Sequence, residues 1–270
     1  MLTEIHKNKF FKILLAITIL LFVWTFCVEP NLLVTKNITV KNEDLKGIKI
    51  TIAGDFHLKK NDEKRLQKTI KVINETDADL ILLLGDYVKG HKRNKTISYN
   101  KINKNFKNLR AKNGIFAILG NHDIWIDENE TKNSLNSAGI TVLDNENRKI
   151  KIKNKMVTIA GTNDMTENKA DIAKTLKNAQ KPTILMTHNP DIFPFVPEFV
   201  DFTVAGHTHG GQVVFPLVGA PIVPSNYGQR YASGLVVENE KNIFITRGIG
   251  TSILPVRFNC TLEIVTITFE

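Results

Sequence analysis

The chain has 270 residues and 42% hydrophobic content, enough for one substantial α/β or sandwich domain and short for two. Its formal net charge of +9 favours anionic partners such as nucleic acid, phospholipid head groups or phosphorylated substrates, although a composition rich in Lys, Asn and Ile explains that charge equally well. Two cysteines, Cys27 and Cys260, exclude a disulfide framework and a cysteine-based zinc site, so any metal must be held by His, Asp and Asn.

An apolar run over residues 13–28 follows three lysines and indicates a membrane-directing segment. No small-x-small cleavage pattern follows it, so we interpret the run as an uncleaved signal anchor of the cytoplasmic membrane. Lipid attachment at Cys27 and a core helix of the folded domain are alternatives. The lysines before the run place the catalytic domain outside the cytoplasm. The expected organisation is a cytoplasmic N-terminus 1–12, a transmembrane signal anchor 13–28, a linker 29–46 and a catalytic domain 47–270.

From residue 49 onward, short apolar runs alternate with helical patterns. The runs are apolar on both faces, as expected for strands of a central sheet covered by helices. The expected strands here are 49–54, 80–84, 115–119, 157–161, 183–187 and 202–205, and the expected helices are 62–75 and 100–111. After Gly210 the helical patterns stop, and the runs 235–238, 243–246 and 262–269 predict a second sheet packed on the first. The expected architecture is a helix-flanked α/β sandwich.

Five of the expected strands end directly in side chains that bind divalent metals. Because ligands bind outside the carboxyl ends of strands in α/β sheets, these five loops should converge. The candidates are Asp55, His57, Asp86, Asn121, His122, Asp123, His188, His207 and His209. Imidazole, carboxylate and amide donors without thiolate suit Mn²⁺, Fe or Zn²⁺, and their number exceeds what one ion needs. We therefore expect two divalent ions that share Asp86, with Mn²⁺ preferred and Fe or Zn²⁺ as alternatives.

The motifs Asp-x-His, Gly-Asp, Gly-Asn-His-Asp, His and Gly-His-x-His occur in this order from residue 55 to residue 209. Together they resemble the calcineurin-like metallophosphoesterase superfamily. The resemblance covers the chain from about residue 49 and implies a two-metal phosphoester hydrolase with a four-layer α/β/β/α sandwich, here preceded by a membrane helix. It implies that one metal is bound by Asp55, His57, Asp86 and His209, and the other by Asp86, Asn121, His188 and His207. It also implies that His122 donates a proton to the leaving oxygen while Asp123 orients its ring.

Other segments resemble particular branches of that superfamily. The Gly-Asp motif lacks the downstream arginine of phosphoprotein phosphatases, which argues against a phosphoprotein substrate. The segments 206–212, 246–252 and 255–258, together with the anchor, resemble the bacterial membrane-associated phosphodiesterase branch, which includes a UDP-2,3-diacylglucosamine pyrophosphatase of lipid A synthesis. Candidate substrate contacts are Gln212, Tyr227, Arg230, Arg247 and Arg257. For the last two, a structural role in tying the C-terminal sheet to the glycine-rich turn is an equal alternative.

These observations predict a two-metal-dependent hydrolase of phosphodiester or pyrophosphate bonds at the membrane surface, with a substrate that could be lipid-linked. One alternative is the UDP-2,3-diacylglucosamine pyrophosphatase activity itself. Another is a non-catalytic metallophosphoesterase-fold scaffold, against which the retention of every expected metal ligand argues. A nuclease would use the same chemistry. Outside 89–95, however, the sequence lacks the interleaved basic and aromatic residues of single-strand binders, so no nucleic acid partner is expected.

Overall fold

The computed structural model describes residues 2–270, with side chains from residue 9 onward, so the predicted cytoplasmic N-terminus 1–12 lies partly outside the described residues. The α-helices are α1 (Leu2–Val23), α2 (Glu63–Glu75), α3 (Tyr99–Phe106), α4 (Asn121–Ser137) and α5 (Ile172–Thr175). The strands are β1 (Leu33–Val40), β2 (Lys49–Ala53), β3 (Leu80–Leu83), β4 (Ile115–Ala117), β5 (Thr141–Val142), β6 (Glu146–Ile152), β7 (Lys155–Gly161), β8 (Thr183–Met186), β9 (Phe202–Ala205), β10 (Gly234–Glu238), β11 (Lys241–Ile245) and β12 (Leu262–Phe269).

Two six-stranded sheets form the body of the domain. The first has the order β1-β12-β2-β3-β4-β5, and its strands β2 to β5 are parallel. The second has the order β10-β11-β9-β8-β7-β6, and its central strands β7, β8, β9 and β11 are parallel. This mixed α/β arrangement of two sheets, preceded by an apolar helix, confirms the predicted fold class.

Apolar side chains join the layers in three clusters. Between the two sheets, side chains of both sheets form one buried cluster, for example Ile52 from the first sheet and Ile159 from the second. The outer face of the first sheet is covered by α2, α3 and α4; α2 presents Leu66 and Ile70 at helical spacing. The outer face of the second sheet is covered by the short α5 and by a 3₁₀ helix that buries Phe193. The helical layer on this side is therefore thinner than the layer on the first sheet.

Sheet membership differs from the sequence prediction in two respects. The strands β7, β8 and β9 were expected beside β2 in one central sheet, but they form the second sheet. Strand β12 was expected in the second sheet, but it lies in the first, antiparallel to β2 and parallel to β1. The apolar pattern of a strand predicts which faces are buried. The neighbouring strand is chosen by long-range pairing, which the local pattern does not encode.

Residues 33–40, predicted as part of the linker 29–46, belong to the folded domain. They form β1, which pairs with β12 over its whole length, from Leu33 opposite Leu262 to Val40 opposite Phe269. The prediction of a linker is wrong here because β1 is an edge strand with exposed polar residues in its middle, as edge strands that resist aggregation commonly are. The other predicted domain boundaries stay predictions.

Helix α1 is followed by a π-helical turn, Trp24–Val28, and a 3₁₀ turn, Glu29–Asn31. The span Lys9–Asn31 is strongly apolar, and its most apolar stretch is not buried against the rest of the described chain. It is long and apolar enough to cross a bilayer, a property that N-terminal signal sequences share.

Candidate metal centre

The loops predicted to carry metal ligands meet at one edge of the two sheets, at the carboxyl ends of β2, β3, β4, β8 and β9. In chain order, the side chains there are Asp55, His57, Asp86, Asn121, His122, Asp123, His188, His207 and His209. All of them are buried except His207, which is half-buried. The structure therefore brings together the residues that the sequence predicted would converge.

Asp86 lies at the centre of this cluster. Its Oδ2 is 3.4 Å from Nε2 of His57 and 3.4 Å from Nε2 of His188. Its Oδ1 accepts the backbone N–H of His122 at 2.9 Å, which fixes the orientation of the carboxylate. A carboxylate placed between two groups of imidazoles is suited to bridge two cations.

On one side of Asp86, three ligand-type side chains surround a common point. Asp55, His57 and His209 offer ligand atoms that all lie within 4.8 Å of one another. Nε2 of His209 is 3.5 Å from Oδ1 of Asp55 and only 2.9 Å from Nε2 of His57. Two imidazole nitrogens this close inside the protein need a proton or a cation between them, because otherwise their lone pairs face each other in a region without solvent.

On the other side of Asp86 lie His188, Asn121 and His207. Nδ1 of His188 donates to the carbonyl oxygen of Leu84 at 2.7 Å, which leaves Nε2 as the lone-pair nitrogen. Within residues 2–270, Nε2 of His188 and Oδ1 of Asn121 are buried without a hydrogen-bond partner. The ring of His207 lies 5.1 Å from that of His188. Because buried polar atoms are rarely left unpaired, these donors fit a divalent ion.

The pKa values of the protein groups also indicate an added cation. Burial raises the pKa of Asp55 to about 7 and lowers the pKa values of His57 and His207 to about 3. Burial opposes the charges of Asp86 and His188 as well and is the largest single influence on each, but their attraction to each other and to other charged neighbours together outweighs it. The pKa of Asp86 consequently lies well below its usual range, and the pKa of His188 lies well above. The neutral rings of His57 and His207, and the Asp55 carboxyl group whose charged form lacks a compensating cation, suit a bound metal.

The loops that carry the candidate metal ligands also carry backbone strain. Five of the candidate ligands adopt left-handed backbone conformations, with φ between 43° and 71°: Asp55, His57, Asp86, His207 and His209. Such conformations are unfavourable outside glycine and are maintained by the surrounding structure. At Gly120 the space is too small for any side chain, because a Cβ there would overlap Oδ1 of Asp86 and lie 2.7 Å from the ring of His188. Close approach of the backbone thus helps to bring the ligands together.

His122 is held beside the metal ligands by its backbone surroundings. Its Nδ1 accepts the backbone N–H of Gly90 at 2.9 Å, so the proton of the neutral ring lies on Nε2. That Nε2 is 3.9 Å from Oδ2 of Asp86. Burial lowers the pKa of His122 below its ordinary value.

Asp123 does not orient the ring of His122, and this expectation is wrong. Its Oδ1 accepts the backbone N–H groups of Tyr87 and Val88 at 2.8 and 3.2 Å, and its Oδ2 accepts that of Gly120 at 3.0 Å. Burial and the nearby charge of Asp86 raise the pKa of Asp123 to about 8. The side chain therefore joins the loop after β3 to the start of α4, and Gly90 takes the orienting role that sequence analysis gave to Asp123.

The candidate substrate residues occupy different environments. Arg257 is fully buried and donates to the carbonyl oxygens of Arg247, Gly250 and Cys260 at 2.7, 2.6 and 2.9 Å. It has no surface for a substrate, so the structural alternative is correct. Gln212 lies beside the cleft, but its amide is paired with both backbone groups of Ser252, at 3.2 and 2.8 Å.

The remaining candidates lie outside the residues that line the cleft over the metal ligands. Arg230 pairs with Glu238, and Tyr227 packs against Tyr231 at a ring distance of 4.9 Å. The backbone N–H of Arg247 donates to Glu263 at 3.0 Å. Their contact with substrate stays a prediction.

Sequence analysis missed two aromatic residues of the cleft, which has a volume of about 440 Å³. The ring of Trp125 lies 4.7 Å from that of His122 and 4.9 Å from that of His91. His91 lies in the segment 89–95, which the sequence analysis did not include among the candidate site residues. A signal was present for Trp125, because it stands three positions after His122 and so shares its side of α4.

Comparison with known proteins gives the same assignment as the geometry. The calcineurin-like phosphoesterase family matches residues 48–211, the segment that contains all the ligand loops. Phosphodiesterase YaeI of Escherichia coli is 35% identical over 194 residues, covering 70% of each chain. Metallophosphoesterase YkuE of Bacillus subtilis is 29% identical over 252 residues, covering 90% of this chain and 87% of its own. The crystal structure of calcineurin-like phosphoesterase YfkN from Bacillus subtilis covers 75% of this chain and 81% of its own, with a TM-score of 0.45 and 12% identity. This chain therefore belongs to the calcineurin-like phosphoesterase family and is a metal-dependent phosphoester hydrolase.

Proposed function

We propose that the protein hydrolyses phosphodiester or pyrophosphate bonds at a membrane surface with two divalent ions. The observation that carries this proposal is the convergence of buried ligand atoms on both sides of Asp86, several of them without a protein partner. One ion would be held by Asp55, His57, Asp86 and His209, and the other by Asp86, Asn121, His188 and His207. The absence of thiolate from this ligand set favours Mn²⁺, with Fe or Zn²⁺ as alternatives.

When bound, the two ions would supply the positive charge that attracts the phosphate and stabilises charge in the transition state. The protein's own chemical contribution is proton transfer. Hydrolysis replaces the ester oxygen on phosphorus with a water oxygen, and the leaving oxygen requires a proton. His122 is suited to give it, because Gly90 occupies Nδ1 and leaves the N–H at Nε2, beside the metal ligands and the cleft.

Two observations support the finer parts of the proposal. The span Lys9–Asn31 is long and apolar enough to anchor the domain at a bilayer, and the Escherichia coli relative is named a phosphodiesterase. A nucleotide-linked lipid pyrophosphate such as UDP-2,3-diacylglucosamine is the sharpest candidate substrate. Exposed apolar residues beside the cleft, Ile222 and Ile253, favour a substrate with a lipid part.

The test uses the full chain in detergent micelles. Chelation should abolish hydrolysis of bis(p-nitrophenyl) phosphate, and Mn²⁺ or another transition ion should restore it. Asp86→Ala should remove both the activity and the bound metal. Asp77 is an exposed aspartate after α2, and Asp77→Ala should change neither.

Undiminished turnover by metal-free protein would disprove the two-metal proposal. Metal binding without turnover of any phosphodiester or lipid pyrophosphate would support the scaffold alternative. Cleavage of UDP-2,3-diacylglucosamine to UMP would identify the lipid precursor as a substrate.

A further inference from the structure

Exposed apolar side chains are concentrated on two loops at the mouth of the cleft. Leu217 is fully exposed, and Ile222 and Ile253 are 77% and 84% exposed. Phe215, Val218 and Leu254 beside them are also exposed. Single exposed apolar residues are ordinary, but a group of large ones in adjacent loops indicates a surface that contacts a nonpolar partner. We call these six residues the apolar rim.

Hydrogen bonds hold the two loops of the apolar rim in fixed positions beside each other. The first is a tight turn in which Phe215 and Gly219 exchange backbone hydrogen bonds at 2.9 Å in both directions. The second is joined to the base of that turn, because the side chain of Gln212 pairs with the backbone of Ser252. Ile222 and Ile253 line the cleft itself. The apolar rim is therefore a preformed surface that borders the cleft.

The membrane helix joins the domain at this same edge. The backbone N–H of Arg257 donates to the carbonyl oxygen of Thr25 at 3.0 Å. The buried carboxylate of Glu29 accepts the backbone N–H groups of Asn259 and Cys260 at 3.0 and 2.5 Å.

A small cavity links the end of the anchor to the metal centre. It is lined by Phe26 of the anchor, Pro255 beside the rim, and the metal ligand His57. Lys59, which is exposed, lines the same cavity and provides a positive charge for acidic head groups. The anchor, the rim and the cleft thus face the same side of the domain.

We propose that the apolar rim enters the bilayer in which α1 is anchored, so that the cleft opens directly onto the lipid head groups. The substrate class would then be a lipid whose phosphate is hydrolysed while its acyl chains stay in the membrane. The substrate part of this proposal rests on the proposed hydrolase function, whereas the bilayer contact of the rim does not. The bilayer is the occupant that the structure favours, because the rim is continuous with the end of the membrane helix.

Environment-sensitive fluorescent labels can test the contact directly on the full chain. A nitrobenzoxadiazole label would be attached to Leu217→Cys or Ile253→Cys in a Cys27→Ser background, where the remaining Cys260 is buried. Met156→Cys is the matched control, since Met156 is an exposed apolar residue at the start of β7, opposite the cleft. The variants would be reconstituted into vesicles of phosphatidylcholine and phosphatidylglycerol, with and without lipids carrying a doxyl quencher on the acyl chain.

The labels at residues 217 and 253 should emit at shorter wavelength than the label at residue 156, and doxyl lipid should quench them selectively. Equal quenching at all three positions would overturn the proposal. A blue shift without quenching by doxyl lipid would also overturn it, because the rim would then contact a second copy of the chain or another protein.

Turnover measurements separate this proposal from the proposed function. Leu217 and Val218 do not line the cleft, so the variants Leu217→Ser and Val218→Ser should hydrolyse soluble bis(p-nitrophenyl) phosphate at the unchanged rate. Hydrolysis of phosphatidyl-p-nitrophenol in vesicles should fall by about tenfold, equivalent to one step of about 1.4 kcal/mol. Equal vesicle turnover by the variants would disprove delivery through the rim. If the unmodified chain hydrolysed neither substrate, the proposed function would fail, while the fluorescence result would still decide the bilayer contact.

Discussion

At the scale of single residues, His122 differs from the other histidines of the cluster in how its two ring nitrogens are used. Gly90 donates to Nδ1 and lies so close that a Cβ at Gly90 would overlap the ring. Nε2 is therefore the nitrogen that can carry a proton toward a substrate. His122 also offers a nitrogen near the ligand atoms of His57 and Asp86, but removing the ring leaves Asp55, His57, Asp86, His188 and His209 in place. Its removal should therefore affect proton transfer more than metal binding.

We predict that His122→Ala lowers the hydrolysis rate of bis(p-nitrophenyl) phosphate by about 10²–10⁴-fold, the usual range for general acid catalysis. The metal content, measured by inductively coupled plasma mass spectrometry, should be unchanged. His91→Ala is the matched control, because His91 also lines the cleft and its ring lies 5.4 Å from that of His122 and 4.9 Å from that of Trp125. Loss of metal from the His122 variant would show that the ring is a ligand instead.

The residues of this site differed in how far sequence could predict them. Asp55, Asp86 and His188 follow buried strands directly, and the strand-end rule therefore anticipated their convergence. The contacts of Asp123 and Arg257 were not predictable in the same way. Asp123 accepts hydrogen bonds from the backbone of a loop 36 positions away, at Tyr87. The guanidinium of Arg257 is buried, where it donates to backbone carbonyl oxygens such as that of Cys260. Such partners depend on the folded paths of loops and leave no periodic pattern in the sequence.

At the scale of secondary-structure elements, Glu128 ties α4 to the loops of the second sheet. Its carboxylate accepts Lys132 Nζ at 2.7 Å and Lys169 Nζ at 2.6 Å. Partial burial opposes the charge, but the two lysines outweigh it and lower the pKa of Glu128 from 4.5 to about 2. A carboxyl group with a depressed pKa in the folded state stabilises the protein above its unfolded pKa. This stability is lost as pH falls through the folded pKa.

We predict that Glu128→Gln lowers the free energy of unfolding at neutral pH by about 0.5–1 kcal/mol, a modest value because the group is partly exposed. The difference from the unmodified chain should shrink as pH falls from 4.5 toward 2, the interval between the two pKa values. Urea unfolding at a series of pH values would measure this. Glu75→Gln, which removes an exposed ion pair with Lys71, should show little effect. A Glu128 difference that did not vary with pH would contradict the assignment.

The connection between α1 and the domain depends on Glu29. Glu29 is buried, and its carboxylate also accepts the indole N–H of Trp24 at 2.7 Å. Glu29→Ala would leave the backbone N–H groups of Asn259 and Cys260 unpaired, so we predict a loss of about 1–3 kcal/mol of stability. The thermal unfolding midpoint of the full chain in lipid nanodiscs would measure it. Glu43→Ala removes an exposed carboxylate as the control. An unchanged midpoint would show that the helix is not anchored through Glu29.

At the scale of the whole molecule, the two parallel cores of the sheets direct their carboxyl ends to one edge, and the end of α1 joins that edge. Sequence predicted the strands that carry the candidate ligands, because their apolar runs are short and four of the five end at a glycine. The division of the strands between two sheets was not predictable, because long-range pairing decides which strands are neighbours. Strands β1 and β12, for example, pair across more than 220 residues, as between Leu33 and Leu262. The position of the end of α1 likewise depends on long-range contacts, the buried carboxylate of Glu29 with Asn259 and Cys260 and the carbonyl oxygen of Thr25 with Arg257.

If α1 spans the membrane, its orientation decides on which side the candidate metal centre lies. Three lysines before the apolar run, Lys7, Lys9 and Lys12, favour a cytoplasmic N-terminus and an extracytoplasmic domain. Lys36, Lys41 and Lys46 follow the run, so the bias is small, and the cluster before it decides our choice. In a Cys27→Ser background, Met156→Cys should react with an impermeant maleimide in cells whose cytoplasmic membrane is intact.

An introduced cysteine that reacts only after the cytoplasmic membrane is permeabilised would reverse this orientation. The orientation and the substrate are linked, because a UDP-linked lipid precursor is made in the cytoplasm and would not reach an external cleft. Labelling in intact cells together with hydrolysis of lipid phosphodiesters would favour an envelope phosphodiesterase. Labelling only after permeabilisation, together with release of UMP from UDP-2,3-diacylglucosamine, would favour the pyrophosphatase. In either orientation, the hydrogen bonds from Asn259 and Cys260 to Glu29 join the end of the apolar helix to the edge that carries the cleft, so if that helix spans the bilayer its orientation would determine which lipids could reach the cleft.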